Sequence, residues 1–419
     1  MAHIQTFAKQ KPAAKNQNSR ASPAAPVLST PVVLATQVSP PKGARKGMVT
    51  TQARTAGPKP QRNPFKKAGP SRPAPFNPWI PLDDYEDTKE LVSGAEAKTS
   101  LTKSTKTGRV YVVKRFADYP EFGKSGPLQL GGVQPLPNEA KLLLVSFRPH
   151  PNILRAFGCD LIECDKGWYK ANLYSEYCAG GDLYAHILAV ANSQRSAPES
   201  LALHVFISLA QALAYLHHGL HWDPKVNRYW QEPGFIAYVH GDIKPSNVFL
   251  RWSSETDRSG LPDIVLGDLG ATQPQNSYRG LSGTEGFMAP EIMHVWALSK
   301  TNPVEYRVKA RAVGHMTTAT DVFSLGQTIH LVGTSRIHAV GMDPETEPAA
   351  RTKKGMVGVR LGMEPAYETQ ALIHVVKACL QPNPKKRPVV REGSLLDDVA
   401  VCREALKKML AKKETAGRL

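Results

Sequence analysis

The chain has 419 residues, 41% of them hydrophobic, which is enough for a sizeable core. Its 53 Lys and Arg against 36 Asp and Glu leave a formal charge of +17. No apolar run of transmembrane length and no signal-peptide core is seen, so a soluble protein is expected.

Residues 1–80 hold 13 of the basic residues, no Asp or Glu and 13 prolines. Such a segment cannot bury enough apolar surface to offset its chain entropy, so it is expected to be a disordered basic arm. Its charge suits acidic proteins or other polyanions, by salt-dependent attraction. The arm has no aromatic stacking series, which argues against sequence-specific nucleic-acid recognition. Pro12, Pro23, Pro26 and Pro31 interrupt any amphipathic helix of the mitochondrial-leader kind. Ser22-Pro23, Thr30-Pro31 and Ser39-Pro40 resemble proline-directed phosphorylation sites.

Val110 to Phe116 alternates like a half-buried strand carrying Lys114, and Asn138 to Leu144 reads as a helix carrying Glu139. Glu121 competes with Glu139 as the partner of Lys114, but it lies among Pro120, Gly123 and Gly126, which break a helix. Leu201 to Leu216 is a second helix, and His217 and His218 are expected at its solvent-facing end. Three stretches are long loops without periodicity of their own: His221 to Tyr238, Trp252 to Pro262 and Ile292 to Thr320. The last carries Lys300, Arg307, Lys309 and Arg311, read as a solvated insertion. Val399, Cys402, Leu406 and Leu410 keep helical spacing in a closing helix over 397–410.

The five cysteines, Cys159, Cys164, Cys178, Cys379 and Cys402, are odd in number and mostly far apart. They suit reduced thiols in the cytoplasm or nucleus. Cys159 and Cys164 could form half of a zinc site, but no second pair follows at a matching spacing, so they are read as structural.

The chemistry sits in Val239-His240-Gly241-Asp242-Ile243-Lys244-Pro245-Ser246-Asn247-Val248-Phe249-Leu250, followed by Gly267-Asp268-Leu269-Gly270. Phosphoryl transfer from a metal-bound nucleotide needs oxygens for Mg²⁺, ammonium groups for phosphate and one carboxylate facing the acceptor hydroxyl. Asp242 would accept or orient the hydroxyl proton, Lys244 would hold the γ-phosphate, and Asn247 with Asp268 would hold the metal. The runs Asn247 to Leu250 and Ile264 to Leu266 read as short strands that bring these oxygens to one cleft.

This ordered set resembles the eukaryotic-type Ser/Thr protein kinase family from about Tyr85 to Lys408. The resemblance implies an α+β, two-lobed fold: a small β-rich lobe and hinge over 81–178, and a larger helical lobe over 179–412. It assigns Lys114 to the α- and β-phosphates of ATP and Glu139 as its ion-pair partner. His150-Pro151-Asn152-Ile153-Leu154 resembles the turn into the next strand. Leu173-Tyr174-Ser175-Glu176-Tyr177-Cys178 resembles the hinge, with backbone of Glu176 and Cys178 reading adenine and Ser175 at the gatekeeper position. Asp182 is placed at the ribose and Phe249 under the adenine. Gly283-Thr284-Glu285-Gly286-Phe287-Met288-Ala289-Pro290-Glu291 resembles the end of the activation segment. Asp321 matches the start of the large buried helix, and Arg387 the family's closing Arg, a structural partner of Glu291.

Two departures qualify the implied activity. Where the family has a Gly-rich loop, Gly94-Ala95-Glu96-Ala97-Lys98-Thr99-Ser100-Leu101 keeps only its first Gly, with Gly94 and Leu101 still at the ATP site. Gly241 stands where many members have the Arg that binds an activation-loop phosphate, so modification of Ser277, Tyr278 or Ser282 is not expected to be required. His-Gly-Asp also resembles the loop of small-molecule phosphotransferases, which generally lack the Ala-Pro-Glu and closing Arg segments. Thr284 and Lys244 point to Ser/Thr acceptors in proteins. The expected function is a Mg²⁺- and ATP-dependent Ser/Thr protein kinase; the alternative is a nucleotide-binding pseudokinase serving as a scaffold. The sequence assigns no oligomeric state.

Overall fold

The computed structural model describes residues 85–93, 97–120, 136–164, 168–192, 197–252, 260–275, 277, 280–302, 304–306, 308, 316–334, 367 and 369–416. The basic arm, Gly94, Glu121, Tyr278, Arg307, Lys309 and Arg311 lie outside these residues.

Five antiparallel strands form the smaller lobe: β1 (Tyr85–Ser93), β2 (Ala97–Ser104), β3 (Val110–Pro120), β4 (Ala156–Cys164) and β5 (Trp168–Glu176), in the order β1-β2-β3-β5-β4. Directly opposed residues share a face of a sheet, so register decides what meets the cleft. Leu101 pairs with Val112 and Val112 with Ser175, one cross-strand row; Thr99 pairs with Lys114 and Lys114 with Leu173, the next row on that face. Helix α1 (Asn138–Lys141) continues as a π-helical turn over Leu142–Ser146. It packs Leu136, Ala140 and Leu144 against Ala156, Cys159, Ala171 and Leu173.

The larger lobe is built around two helices that are buried on nearly all sides, α3 (Glu199–His218) and α5 (Thr318–Thr334). Between the lobes and α3 lies α2 (Leu183–Asn192), and α4 (Pro290–Thr301), α6 (Gln370–Cys379) and α7 (Leu395–Ala416) complete the bundle. Helix α3 is long and apolar enough to cross a membrane, but 89% of its most apolar window is buried in this core.

Short strands flank the turns that hold Asp242 and Asp268: β8 (Tyr238–Val239) pairs with β11 (Gln273–Pro274), and β9 (Val248–Arg251) with β10 (Asp263–Leu266).

Three readings need correction. The stretch from Ile292 does not begin as a loop: helix α4 (Pro290–Thr301) runs through it and carries Lys300. The stretch from His221 is not an irregular loop: β6 (Leu220–Asp223) and β7 (Arg228–Gln231) form a hairpin, with His221 stacked on Trp230 at 4.1 Å. Nor does His217 face solvent. It is 2% exposed and shares a 3.0 Å hydrogen bond between its Nε2 and the Asp321 carboxylate. The hairpin folds over the end of α3, so the last helical turn is interior.

Candidate active site

Lys114 lies mid-strand in β3 and its side chain crosses to α1. Its Nζ stands 2.7 Å from Glu139 Oε2 and 2.7 Å from Asp268 Oδ1. Glu139 is therefore the partner. Burial works against the Lys114 charge, but the Glu139 and Asp268 carboxylates outweigh it and hold its pKa above the ordinary lysine value. Burial pushes Asp268 up, while the Lys114 ammonium and its hydrogen bond hold the carboxyl below its ordinary value. The Asp268 side chain is 42% exposed, so solvent screens part of this attraction.

Asp268 follows β10 with φ 57° and ψ 68°, a left-handed conformation that turns its carboxylate toward Lys114. Gly267 before it allows close approach: a Cβ there would stand 2.7 Å from the Phe249 ring. The other oxygen of Glu139 accepts the Leu269 backbone N–H at 3.3 Å.

The loop between β8 and β9 holds the second cluster. Asp242 Oδ2 accepts from Lys244 Nζ at 2.7 Å, Asp242 Oδ1 accepts from the Thr284 hydroxyl at 2.7 Å, and Lys244 Nζ also reaches Thr284 Oγ1 at 2.7 Å. Asn247 Nδ2 donates to the Asp242 carbonyl at 2.8 Å and to its carboxylate at 3.2 Å, which leaves Asn247 Oδ1 as the oxygen to face a cation.

Beneath this loop, Asp321 is 1% exposed and accepts the N–H of His240 at 2.7 Å and of Gly241 at 2.9 Å, besides His217. His240 is fully buried: its Nδ1 accepts the Asp242 N–H at 3.3 Å and its Nε2 faces the Gly267 carbonyl at 3.1 Å, which places the ring proton on Nε2. One imidazole thus spaces the Asp242 loop from the Asp268 turn.

A family model described as "Protein kinase domain" matches residues 85–394. The chain belongs to the protein kinase family. Among its relatives, the G2-specific protein kinase nim-1 of Neurospora crassa is 27% identical over 262 residues, covering 59% of this chain and 26% of that one. The serine/threonine-protein kinase ATG1b of Arabidopsis thaliana is 33% identical over 146 residues, 35% of this chain and 17% of that one. Human serine/threonine-protein kinase Nek2 is 26% identical over 216 residues, 51% of this chain and 41% of that one. The chain thus spans less than half the length of each of these relatives.

The other kinase-family positions fall into two groups. Ser175, Glu176 and Cys178 line the strand exit at the lobe junction; Ser175 is 6% exposed and its hydroxyl points at the Val112 carbonyl, 3.5 Å away. Asp182 Oδ1 accepts the Ala185 N–H at 2.8 Å and so starts α2. Leu101 lies in the row of Val112 and Ser175. Glu291 and Arg387 sit away from the cleft: Arg387 NH1 and NH2 grip the two Glu291 oxygens at 2.7 and 2.8 Å, and its Nε donates to the Gln381 carbonyl. That bidentate pair braces the Ala-Pro-Glu segment against the closing motif.

Four contributing residues escaped the sequence reading. His217 and His240 brace the Asp242 loop from below. Arg251 of β9 binds Glu176 and Asp263. Met316 presents its sulfur to Ser282 N and Oγ at 3.4 Å each and to Gln273 Nε2 at 3.5 Å, occupying space above Gly241. The positive φ of Gly241 (82°) favours a glycine, and the Gly itself was the one signal the sequence offered of this unusual backbone. Cys159, Cys178, Cys379 and Cys402 are free and buried, and burial pushes the Cys159, Cys178 and Cys402 thiols up to about 12.

Proposed function

We propose that this chain is an active Ser/Thr protein kinase that transfers the γ-phosphoryl group of Mg·ATP to protein hydroxyls without needing a phosphate on its activation segment. The observation that carries the reading is Lys114 Nζ, which lies 2.7 Å from both Glu139 and Asp268, while Gly241 stands where an Arg would bind an activation-segment phosphate. Lys114 would grip the α- and β-phosphates, and Lys244 the γ-phosphate. Asn247 Oδ1 and the Asp268 carboxylate are hard oxygens of the kind Mg²⁺ takes alongside phosphate oxygens. Mg²⁺ held there would neutralise charge on the phosphates. Asp242 would receive the acceptor hydroxyl where Thr284 now bonds to its Oδ1, and the Lys244 contact would keep the carboxylate aimed. Leu101, Val112, Ser175 and Phe249 would enclose the adenine, with backbone of Glu176 and Cys178 reading its edge and Asp182 beside the ribose. Buried free thiols suit a cytoplasmic or nuclear protein. The basic arm would draw in acidic proteins or other polyanions.

The test is transfer from labelled Mg·ATP to a mixed Ser/Thr protein substrate by the full chain and by its Asp242→Asn and Asp268→Ala variants. Both variants are expected to lose transfer by at least ~100-fold. ATP binding without transfer in the unsubstituted chain would replace this reading with the scaffold one, for which the altered loop from Gly94 to Leu101 is the motive.

A further inference from the structure

The turn after Asp268 ends with carbonyls that its own backbone does not fully satisfy. Residues Leu269–Ala271 form a single 3₁₀ turn, closed by Thr272 N–H on the Leu269 carbonyl at 3.1 Å. So short a turn leaves the oxygens at its end in need of donors. One side chain serves them. Asn138 Nδ2 stands 2.8 Å from the Thr272 carbonyl, 3.3 Å from that of Gly270 and 3.5 Å from that of Leu269.

The next residue, Glu139, takes a donor of the same turn, accepting Leu269 N–H at 3.3 Å while holding Lys114 at 2.7 Å. Adjacent residues at the start of α1 therefore engage the acceptors and a donor of one turn. The turn that fixes Asp268 and the helix that fixes Glu139 cannot separate without losing all these bonds together.

Helix α1 needs such an anchor. It spans Asn138–Lys141 before the π-helical turn Leu142–Ser146, and nine residues of helix are marginal by themselves. No side chain caps its first turn, since Pro137 is the capping residue. Its apolar contacts press it against the sheet, but sliding along that face would cost little burial while breaking the polar contacts to the turn.

We infer that Asn138 is a positioning residue: its amide clamps α1 to the Asp268 turn and so keeps the Lys114–Glu139–Asp268 contact assembled. The activity arm of the test rests on the kinase reading above. The exchange arm does not.

The variants are Asn138→Ala and Asn138→Asp in the full chain. Asp keeps the shape of Asn and is at least as favourable at a helix start, but offers carbonyl oxygens no donor. Amide hydrogen exchange is followed in peptides covering 138–146 and 267–273. With one clamp lost, both segments are expected to exchange roughly threefold to tenfold faster, in both variants. Where the chain transfers phosphate, kcat should fall by a similar factor, with KM for a peptide unchanged because Asn138 touches neither Asp242 nor Thr284. If Asn138→Asp matches the unsubstituted chain, Asn138 merely starts a helix and the inference fails. Faster exchange confined to 138–146 would overturn it equally. A chain with no transfer at all removes the kinase reading, while the exchange pattern still decides the role of Asn138.

Discussion

Replacing Gly241 by Ala adds one methyl group where the loop has no room for it. The backbone φ of 82° is a left-handed value that costs a non-glycine residue about 1–2 kcal/mol. The added Cβ would stand 3.0 Å from Met316 Cε, 3.0 Å from Ser282 Oγ and 3.3 Å from the Ala271 carbonyl. The methyl can swing away; the backbone carbonyl cannot. Crowding of this kind typically adds about 1–3 kcal/mol. The loop cannot relax freely, because the Asp321 carboxylate holds the N–H of both His240 and Gly241 in a buried site. The cost should therefore appear mainly in global stability: about 3 kcal/mol, or a melting temperature lower by roughly 4–5 °C for a domain of this size. Scanning calorimetry of the two proteins at equal concentration measures it. Any part of the penalty absorbed by shifting Asp242 would appear as lower kcat/KM, about tenfold for each 1.4 kcal/mol. Gly241→Arg should lose at least as much, since Met316 and Ser282 fill the space. A melting temperature within about 1 °C together with unchanged transfer in Gly241→Ala would refute the reasoning.

Acid sensitivity should trace partly to His150, whose pKa is lowered to about 3 by burial and by the neighbouring His221. In the unfolded chain it titrates near ~6.5, so its contribution is complete above that pH and is lost as pH falls toward 3, by up to about 1.4 kcal/mol per unit. His150→Gln should flatten the decline of melting temperature between roughly pH 6.5 and 4.5; parallel declines would exclude it. Nucleotide binding should behave differently. The lowered Asp268 pKa keeps that carboxylate charged above about pH 4, and the raised Lys114 pKa keeps the ammonium charged to beyond about pH 10. Displacement of a fluorescent nucleotide should accordingly be flat from roughly pH 7.5 to 9, above the titration of the nucleotide's own terminal phosphate (~6–7), and a midpoint inside that range would place another group in the pocket.

The residues that chemistry demands by type were legible in the sequence. Lys114, Glu139, Asp242, Asn247 and Asp268 stand in motifs whose spacing is local, and each motif brings its own strand or turn. What the sequence did not reveal was how those motifs are held. Asp321 meets His240 and Gly241 across some 80 positions, and nothing in the local pattern around Thr318–Thr334 distinguishes a buried acceptor of three hydrogen bonds from an ordinary helix-start Asp. His217 misled for a similar reason. Its exposure depends on the β6–β7 hairpin, whose two four-residue strands are too short for period-two alternation to register. Asn138 looked like a helix beginning, which it is; its amide partners lie more than 130 positions away.

The stretch from Glu176 to Asp182 is sewn to β9 along its length. Arg251 holds both Glu176 oxygens, at 3.3 and 3.1 Å, and reaches the Pro151 carbonyl at 3.1 Å, while Gly180 N–H and Gly181 carbonyl exchange 2.9 Å hydrogen bonds with Leu250. The segment read as the hinge is here an extra edge of the β9–β10 ribbon. The purine of the proposed ATP would meet donors and acceptors already in place there, the entropy of ordering them having been met when the chain folded. Rocking of the small lobe must then bend the sheet beyond Ser175 and not the strap, so the grip on the base and the alignment of the phosphates can vary independently of each other.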